Sequence, residues 1–522
     1  MMSAQLHLER LLADLEMLAE DPQWPHLSGD SVAWLDQTSD VEAQQVLAVL
    51  GGQLGVPNPA QDRLLGAAFR RLIGNPSLFA DELDGAALAS LITLYRQLGS
   101  QSSSRHHLLQ WLAMRADRTL GVFTEVIVED PPSVPTEVLV VFAPLFQRDA
   151  LDPSLLFPRL LDALSNPVVA ASVIDLANFF TRQELVSDHP AVDRRERLMR
   201  LLGELTQRLG QLDEQVDQQA VEPLTTDSQE DVSRRAQVVE DCVALAVSLC
   251  DALALIGDPA AIGKLYQALE LRHRRLRTEA AAALARFDEE AGTAALASMA
   301  AEPVMRLRVL AYAEEIGCLD QIDLKYQTAE ARAEAELAIW LALPTQFGLP
   351  PTRLESVDTR QLYWPGYEDE IDCFLFRFTY GLAEGEFHNI GIAGPCAHAF
   401  VADLADLSPD DIYAAFAGWQ AEHDDIYETD VLQLREGSQA DVARLERRLR
   451  DEGYEVIEPL KIGSFFGEKA LITRARRDAA GGVAVVDQNT FQWHPEVGTR
   501  PIGADLAYCI YKGRKLLRSF NP

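Results

Sequence analysis

The chain repeats itself in one place, and that repetition narrows its fold more than any other feature. Leu253-Ala254-Leu255-Ile256-Gly257-Asp258 is echoed by Leu284-Ala285-Arg286-Phe287-Asp288-Glu289, and Leu276-Arg277-Thr278-Glu279-Ala280 by Leu307-Arg308-Val309-Leu310-Ala311. Both echoes share one offset of 31 residues (284 − 253 and 307 − 276). A fixed period of that size, filled with Ala and Leu at helical spacing, specifies helix pairs that must stack because none buries its apolar stripe alone. Gly257 suits a left-handed helix end, and Pro259 suits the first turn of the helix that follows. Ile262, Leu265, Tyr266 and Leu269 then recur at the i, i+3, i+4, i+7 spacing of one buried face. After the basic run Arg272–Arg277, the small side chains of Ala280 to Ala283 let neighbouring helices approach closely.

Residues Ala252–Ile262 and Arg275–Leu284 resemble the HEAT family, in particular the short HEAT-like repeats associated with phycobilin lyases, over about residues 240–320. The resemblance implies a helical solenoid. Members are usually protein-binding scaffolds, and a minority handle a chromophore or another small molecule. It transfers no catalytic residue, because the repeat motif contains none.

Residues 1–215 read as helix after helix, among them Val41–Gly55, Gln61–Gly74, Gly85–Leu98, Ser104–Leu120, Pro135–Gln147, Pro153–Leu164, Val168–Glu184 and Ala191–Gln215. They form either degenerate helical repeats or an irregular bundle. Residues 216–231 lose periodicity and read as a polar loop or hinge, and the HEAT-like repeats occupy 232–345. Composition shifts at Phe347-Gly348-Leu349-Pro350-Pro351, beyond which aromatic, β-branched and Gly residues become common. The expected fold class is therefore multidomain, an N-terminal all-α helical repeat followed by an α+β domain over 350–522. In that domain Cys373–Tyr380, Phe387–Ile392, Tyr454–Ile462, Ala470–Arg474 and Val483–Asp487 read as strands. Ala507–Tyr511 and Lys515–Phe520 read as two more around Lys512-Gly513. Pro395–Leu404 and Ala440–Glu452 read as helices, and Ser408-Pro409-Asp410-Asp411 starts a helix reaching Tyr427.

A formal net charge of −34 disfavours nucleic acid and anionic membranes, and favours solubility or a basic partner. No apolar run approaches the length needed to cross a bilayer. Met1–Asp21 reads as an amphipathic helix rather than a signal peptide, so the cytoplasm is the simplest compartment. Cys242, Cys250, Cys318, Cys373, Cys396 and Cys509 show no CxxC spacing, which argues against an ordinary zinc site and against a disulfide framework. No metal and no cofactor are expected.

Candidate ligand-binding residues lie in the C-terminal domain. Asn389-Ile390-Gly391-Ile392-Ala393-Gly394-Pro395 leads a strand into an expected helix N-terminus, where free amides either hold an anion or simply turn the chain. His398 follows one turn later, and His388 and Cys396 lie close to it in sequence. His423 falls on the apolar stripe of Ile412, Phe416, Trp419 and Ile426, as a ligand or acid/base group or as a core histidine. Trp419 either floors a pocket or packs the core. No catalytic spacing is present among these residues. Candidate protein-binding residues are Arg272, Arg274, Arg275, Arg277, Arg306 and Arg308, a basic row that either faces a partner or pairs with acids of the next repeat. Lys512, Arg514, Lys515 and Arg518 form a small basic end that pairs with an acidic face.

The leading functional expectation is a non-enzymatic scaffold or adaptor that holds a protein partner on a concave helical surface, with a C-terminal binding or sensing domain. The alternative is an enzyme or cofactor-handling, lyase-like factor with its site in the C-terminal domain. A third is an acidic inhibitor or immunity-type protein that masks a basic target.

Overall fold

Apolar residues at helical spacing turn the first two thirds of the chain into helices, and the rest combines sheets of alternating pattern with three further helices. In the computed structural model, the described residues are 2–23, 32–53, 55–75, 78, 85–100, 102–114, 117–148, 151–221, 229–382, 385–434 and 436–521. The helices are α1 (Met2–Glu20), α2 (Asp40–Gln53), α3 (Pro59–Gly74), α4 (Gly85–Leu98), α5 (Arg105–Met114) and α6 (Asp117–Glu129). They continue with α7 (Pro135–Phe146), α8 (Pro167–Arg182), α9 (Arg195–Val221), α10 (Gln229–Ile256), α11 (Ile262–Leu269) and α12 (Arg274–Arg286). Next come α13 (Glu290–Met299), α14 (Pro303–Ile316) and α15 (Ala329–Ala342). The strands are β1 (Arg353–Tyr363), β2 (Glu370–Leu382), β3 (Gly385–Ala393), β4 (His398–Ala399), β5 (Ile426–Asp430), β6 (Glu455–Phe465), β7 (Glu468–Arg477), β8 (Ala480–Val486) and β9 (Phe491–Pro495). Helices α16 (Pro409–Gln420), α17 (Glu436–Asp451) and α18 (Ala504–Phe520) complete the chain.

The fold is thus mostly helical and then α+β, as expected. The chain forms two compact units, residues 1–295 and 296–522. The composition break near Pro350 marks the change from helix to strand, whereas the units divide earlier, within α13.

In the first unit, helices stack two apart: α1 on α3, α3 on α5, α5 on α7, then α8 on α10 and α10 on α12, with α2 on α4 and α9 on α11 beside them. Local capping sets the geometry. The Asn58 side chain accepts from the amides of Ala60 and Gln61, and Gln61 accepts from the Asn58 amide, a reciprocal box that fixes the start of α3. The amide groups of the same two side chains donate to Leu18 and Leu15 carbonyls at 2.8 Å, closing the end of α1. Ties between neighbouring layers recur at similar separations. Asp36–Arg71 (35 residues apart), Thr38–Asn75 (37), Tyr95–Asp130 (35), Arg96–Glu129 (33), Ala113–Arg148 (35), Glu125–Arg159 (34) and Asp251–Arg286 (35) all bridge stacked segments.

Two buried polar networks hold this unit. Burial pushes the Asp62 carboxyl up, but the hydroxyls of Ser102, Ser103 and Ser104 at 2.5–2.6 Å outweigh it and leave its pKa below the usual value. His189, 3% exposed, accepts from the Ala191 amide at Nδ1 and so donates from Nε2 to Asn178, whose own amide donates to the Ser248 carbonyl. That arrangement leaves no site for a second proton, and burial pulls the His189 pKa down to about 4.

In the second unit, α14 and α15 are joined through Arg306. It is 2% exposed, donating to the carbonyls of Ala300 and Ala331 and to Glu334. Both sheets are antiparallel meanders, ordered β1-β2-β3-β4 and β5-β6-β7-β8-β9. Alternation along β2 sends Cys373 and Leu375 into a core with Ile412, Tyr413 and Phe416 of α16. It sends Phe374, Phe376, Phe378 and Tyr380 to the other face, against Leu337 and Leu341 of α15. The second sheet divides its faces likewise. Ile462, Leu471, Ala484 and Val486 pack with Leu445 and Leu449 of α17, and Ala470, Ile472, Val483 and Val485 with Ala507, Tyr508 and Tyr511 of α18.

Helix α18 lies against α16 as well, through its Leu506 and Ile510. The crossing is made by glycine. A Cβ on Gly418 would meet the Cys509 carbonyl oxygen at 1.9 Å, and one on Gly513 the Ala414 carbonyl oxygen at 1.8 Å.

Several expectations are corrected. Residues 504–520 form one helix rather than strands about Lys512-Gly513, because Gly513 serves close helix approach and not a turn. Helix α16 stops at Gln420 instead of Tyr427; Glu422, Asp424 and Asp425 would otherwise load the negative end of the helix dipole with acids. Pro395–Leu404 is not a helix, since the Asn389 side chain binds the carbonyls of Phe400 and Ala402 and the amide of Leu404 in an irregular loop. Strands β1, β4, β5 and β9 are not among the expected strands. Ser104–Leu120 divides into α5 and α6, and residues 153–155 and 159–165 are 3₁₀ turns rather than one helix. In the polar stretch 216–231, residues 216–221 and 229–231 are helical, and the remainder lies outside the described residues.

Two stability predictions follow from this packing. Gly513→Ala is expected to lower stability by about 3 kcal/mol or more, because the displaced atoms are backbone. Gly263→Ala, facing open space within α11, should raise it by about 0.5–1 kcal/mol. Urea unfolding of both variants checks this. The His189 network is worth most above pH 6.5 and is lost as the pH falls towards 4, since the folded state holds the imidazole neutral. Between pH 7 and 4, wild type should therefore lose ~3 kcal/mol more stability than His189→Gln, read by urea melts at each pH.

Candidate ligand cleft and the predicted site residues

Strand alternation separates the two adjacent candidates on β3. Asn389 points inward and is fully buried, its oxygen accepting from Ile390 and Leu404 and its amide donating to Phe400 and Ala402. It pins a loop, and no hydrogen-bonding capacity remains for a ligand. His388 is exposed on the opposite face, in register with Thr379.

The loop that Asn389 pins delivers His398 to Trp419. Their rings stack at 3.9 Å and 8°, with Trp340 edge-on to the imidazole at 5.2 Å and Phe400 at 5.0 Å. Burial in this aromatic nest pulls the His398 pKa down to about 4. Trp419 remains 44% exposed, so the stack forms part of the surface. Cys396 packs against the α16-side core, and burial pushes its thiol up to about 11, so it carries no thiolate at neutral pH. His423 lies beyond the end of α16, not on its apolar stripe. Its Nδ1 accepts from the Asp425 amide at 3.1 Å, and its ring sits 4.9 Å from Phe466. The structure thus joins His398 with Trp419, and no contact among the described residues brings His388 or His423 to them.

The arginine candidates also separate. Arg306 is an internal strut, as described. Arg275 is exposed and lies 3.7 Å from Glu240 on α10, and Arg277 is half-buried. Arg272, Arg274 and Arg308 are exposed. Among the described residues, no group of three or more His, Cys, Asp or Glu is arranged to hold a metal ion.

One cleft of the α+β unit uses none of these side chains. It measures about 500 Å³ and is lined by Arg360 and Leu362 of β1, by Ser408, Asp410, Asp411 and Tyr413 at the start of α16, and by Arg514, Leu517, Arg518 and Asn521 along α18. Residues 514, 517, 518 and 521 form one helical stripe, so a continuous α18 is what builds this wall. Arg360 donates from Nε to Asp358 and from Nη1 to Asp410, both at 2.7 Å, and its guanidinium lies over the Tyr413 ring at 4.9 Å. Arg514 donates from Nε to Asp411 at 2.6 Å, and its Nη2 stands in ion-pair contact with the same oxygen. Arg518 makes no ion pair among the described residues. Asn521 exchanges two hydrogen bonds with the Tyr363 backbone, tying the end of α18 to β1.

Beside this cleft, His494 of β9 is 6% exposed and its Nε2 has no partner among the described residues. Burial, with the Arg514 charge adding to it, lowers its pKa to about 4.

Of the other basic residues of α18, Lys515 pairs internally as expected, with Glu468 and, at 2.7 Å, with Asp487, whereas Lys512 lies over the Tyr508 ring. Sequence reasoning noticed Arg514 and Arg518 but not the cleft, since Arg360 and Asp411 are 103 or more residues away from Arg514 in the chain. The chain matches no protein-family model, no curated protein and no solved structure. The reading of the site therefore rests on its own chemistry.

The aromatic nest yields a direct prediction. In a histidine-resolved NMR titration, His398 should titrate near pH 4, and Trp419→Ala should move it towards the ordinary 6.5 by admitting water. A wild-type midpoint above 6 would contradict the stacked, desolvated imidazole.

Proposed function

We propose that the chain is a cytoplasmic, non-enzymatic interaction scaffold whose helical unit holds a basic protein partner and whose α+β unit binds a ligand. The observation that supports it best is the layered helix stack of residues 1–295, in which seven of the ties between layers join residues 33–37 positions apart. Such stacking spreads affinity over a long row of side chains rather than concentrating it in one pocket. The net charge of −34 steers basic partners towards that row and discourages nucleic acid. No helix among the described residues is long and apolar enough to cross a membrane.

A second reading, a ligand-handling factor, is favoured by the cleft between β1, α16 and α18. His388, Cys396, His398 and His423 do not assemble around it, so that reading relies on the arginines instead. An acidic inhibitor of a basic target is a third reading, and it makes the same demand on charge.

Residues 1–295 contain a single lysine, Lys264, so amine-reactive crosslinkers are nearly blind to this unit. Carbodiimide coupling, which joins the chain's carboxylates to a partner's lysines, is the informative choice. Full-length protein captured from native lysate should yield crosslinks concentrated in residues 1–295, and these should fall several-fold as salt rises from 0.05 to 0.5 M. Crosslinks confined to residues 296–522, or indifferent to salt, would move the ligand-handling reading ahead.

A further inference from the structure

We infer that the cleft between β1, α16 and α18 is a binding site for a small organic phosphate, an inference that rests on reading the α+β unit as the ligand-binding part of the protein. Three guanidinium groups, Arg360, Arg514 and Arg518, line one cavity of about 500 Å³ on a chain whose net charge is −34. That volume fits a small metabolite rather than a bare ion.

The hydrogen-bond inventory explains why the arginines are suited to an anion and not merely to each other's acids. Each guanidinium has five N–H groups. Arg360 is held through Nε and Nη1, which leaves Nη2 without a partner among the described residues. Arg514 is held by the Nε hydrogen bond and the Nη2 ion-pair contact, which leaves Nη1 without a partner among the described residues. Arg518 has its whole fork available among the described residues. Asp358, Asp410 and Asp411 therefore act as orienting groups: they fix two planar forks and spare the edges not bonded to them. Fixed forks that keep free N–H edges recognise phosphate oxygens bidentately. The three acids also cancel the three positive charges, so the cleft does not repel itself open.

The remaining lining describes the rest of the ligand. Leu362 and Leu517 offer a short aliphatic wall. Asp410, with a side chain 79% exposed, and the Ser408 hydroxyl offer hydrogen bonds to hydroxyl groups. Tyr413 and Asn521 are already engaged with backbone groups and shape the walls without contacting the ligand polar atoms.

The test is isothermal titration of the full-length protein in 50 mM salt with inorganic phosphate, pyrophosphate, glycerol 3-phosphate and ribose 5-phosphate, with citrate as a carboxylate control. At least one phosphate ester should bind more tightly than inorganic phosphate and than citrate. Arg518→Gln, which removes a side chain with no internal ion pair and so spares the fold, should weaken that binding roughly tenfold or more. Arg447→Gln, on the exposed face of α17, should leave it unchanged. Absence of heat with every phosphate up to 10 mM overturns the proposal, as does binding that survives Arg518→Gln or falls equally in Arg447→Gln. Tighter binding of citrate would reassign the site to a carboxylate. Because the crosslinking experiment reads residues 1–295 without added phosphate, failure of the cleft and failure of the scaffold reading are distinguishable.

Discussion

The contact on which the α+β unit depends is the approach of two backbones at Gly418 and Gly513. The pairing of Gly418 with Cys509 and of Ala414 with Gly513 makes α16 and α18 antiparallel. No side chain separates them there, so dispersion between backbones replaces the usual interdigitation. Helix α16 brings the first sheet to this crossing, and α18 brings the second. One step further along, Asp410 and Asp411 on α16 and Arg514, Leu517 and Arg518 on α18 replace the small residues. Large side chains force apart what glycine had drawn together, and the cleft opens at that point. The same helix pair thus supplies both a close backbone crossing and a wall of the polar cleft.

The helical unit is held in a different way. Its elements bury leucine-rich stripes, but direction and register come from polar groups that close helix ends: the Asn58–Gln61 box on α1, the three serines on Asp62, and the His189–Asn178–Ser248 chain. Buried groups of this kind stabilise only one arrangement, since each leaves an unpaired donor or acceptor if a helix slips. They also couple the fold to acid. His107, His189, His398 and His494 are all held near pKa 4 by burial, so protonation below about pH 6 opposes folding in both units.

Charge serves the two units unequally. Arginine provides nearly all the positive charge, and where the structure engages it, it is used as a planar strut. Arg306 satisfies carbonyls at the junction of α14 and α15, Arg286 meets Asp251, and Arg159 bridges Glu125 and Asp162. The cleft arginines differ from Arg306 and Arg159 in keeping N–H edges that are unbonded among the described residues.

By itself the sequence determined the helical first part, the change to strands after Pro350 and most helix starts. Those features follow from local physics: periodicity of three to four or of two, capping residues, and proline or glycine at ends. Cys373–Tyr380 announced β2 through alternation that serves two cores at once. Tertiary structure alone decided the meaning of Gly513, read as a turn glycine and found to be a crossing glycine, because a missing Cβ suits either role until a partner backbone is known. It likewise decided that Asn389 is consumed by a loop, that His398 and not His423 meets Trp419, and that Arg360 joins Arg514 and Arg518. Each of these depends on residues brought together from distant parts of the chain, and no local spacing records which backbone or side chain will arrive.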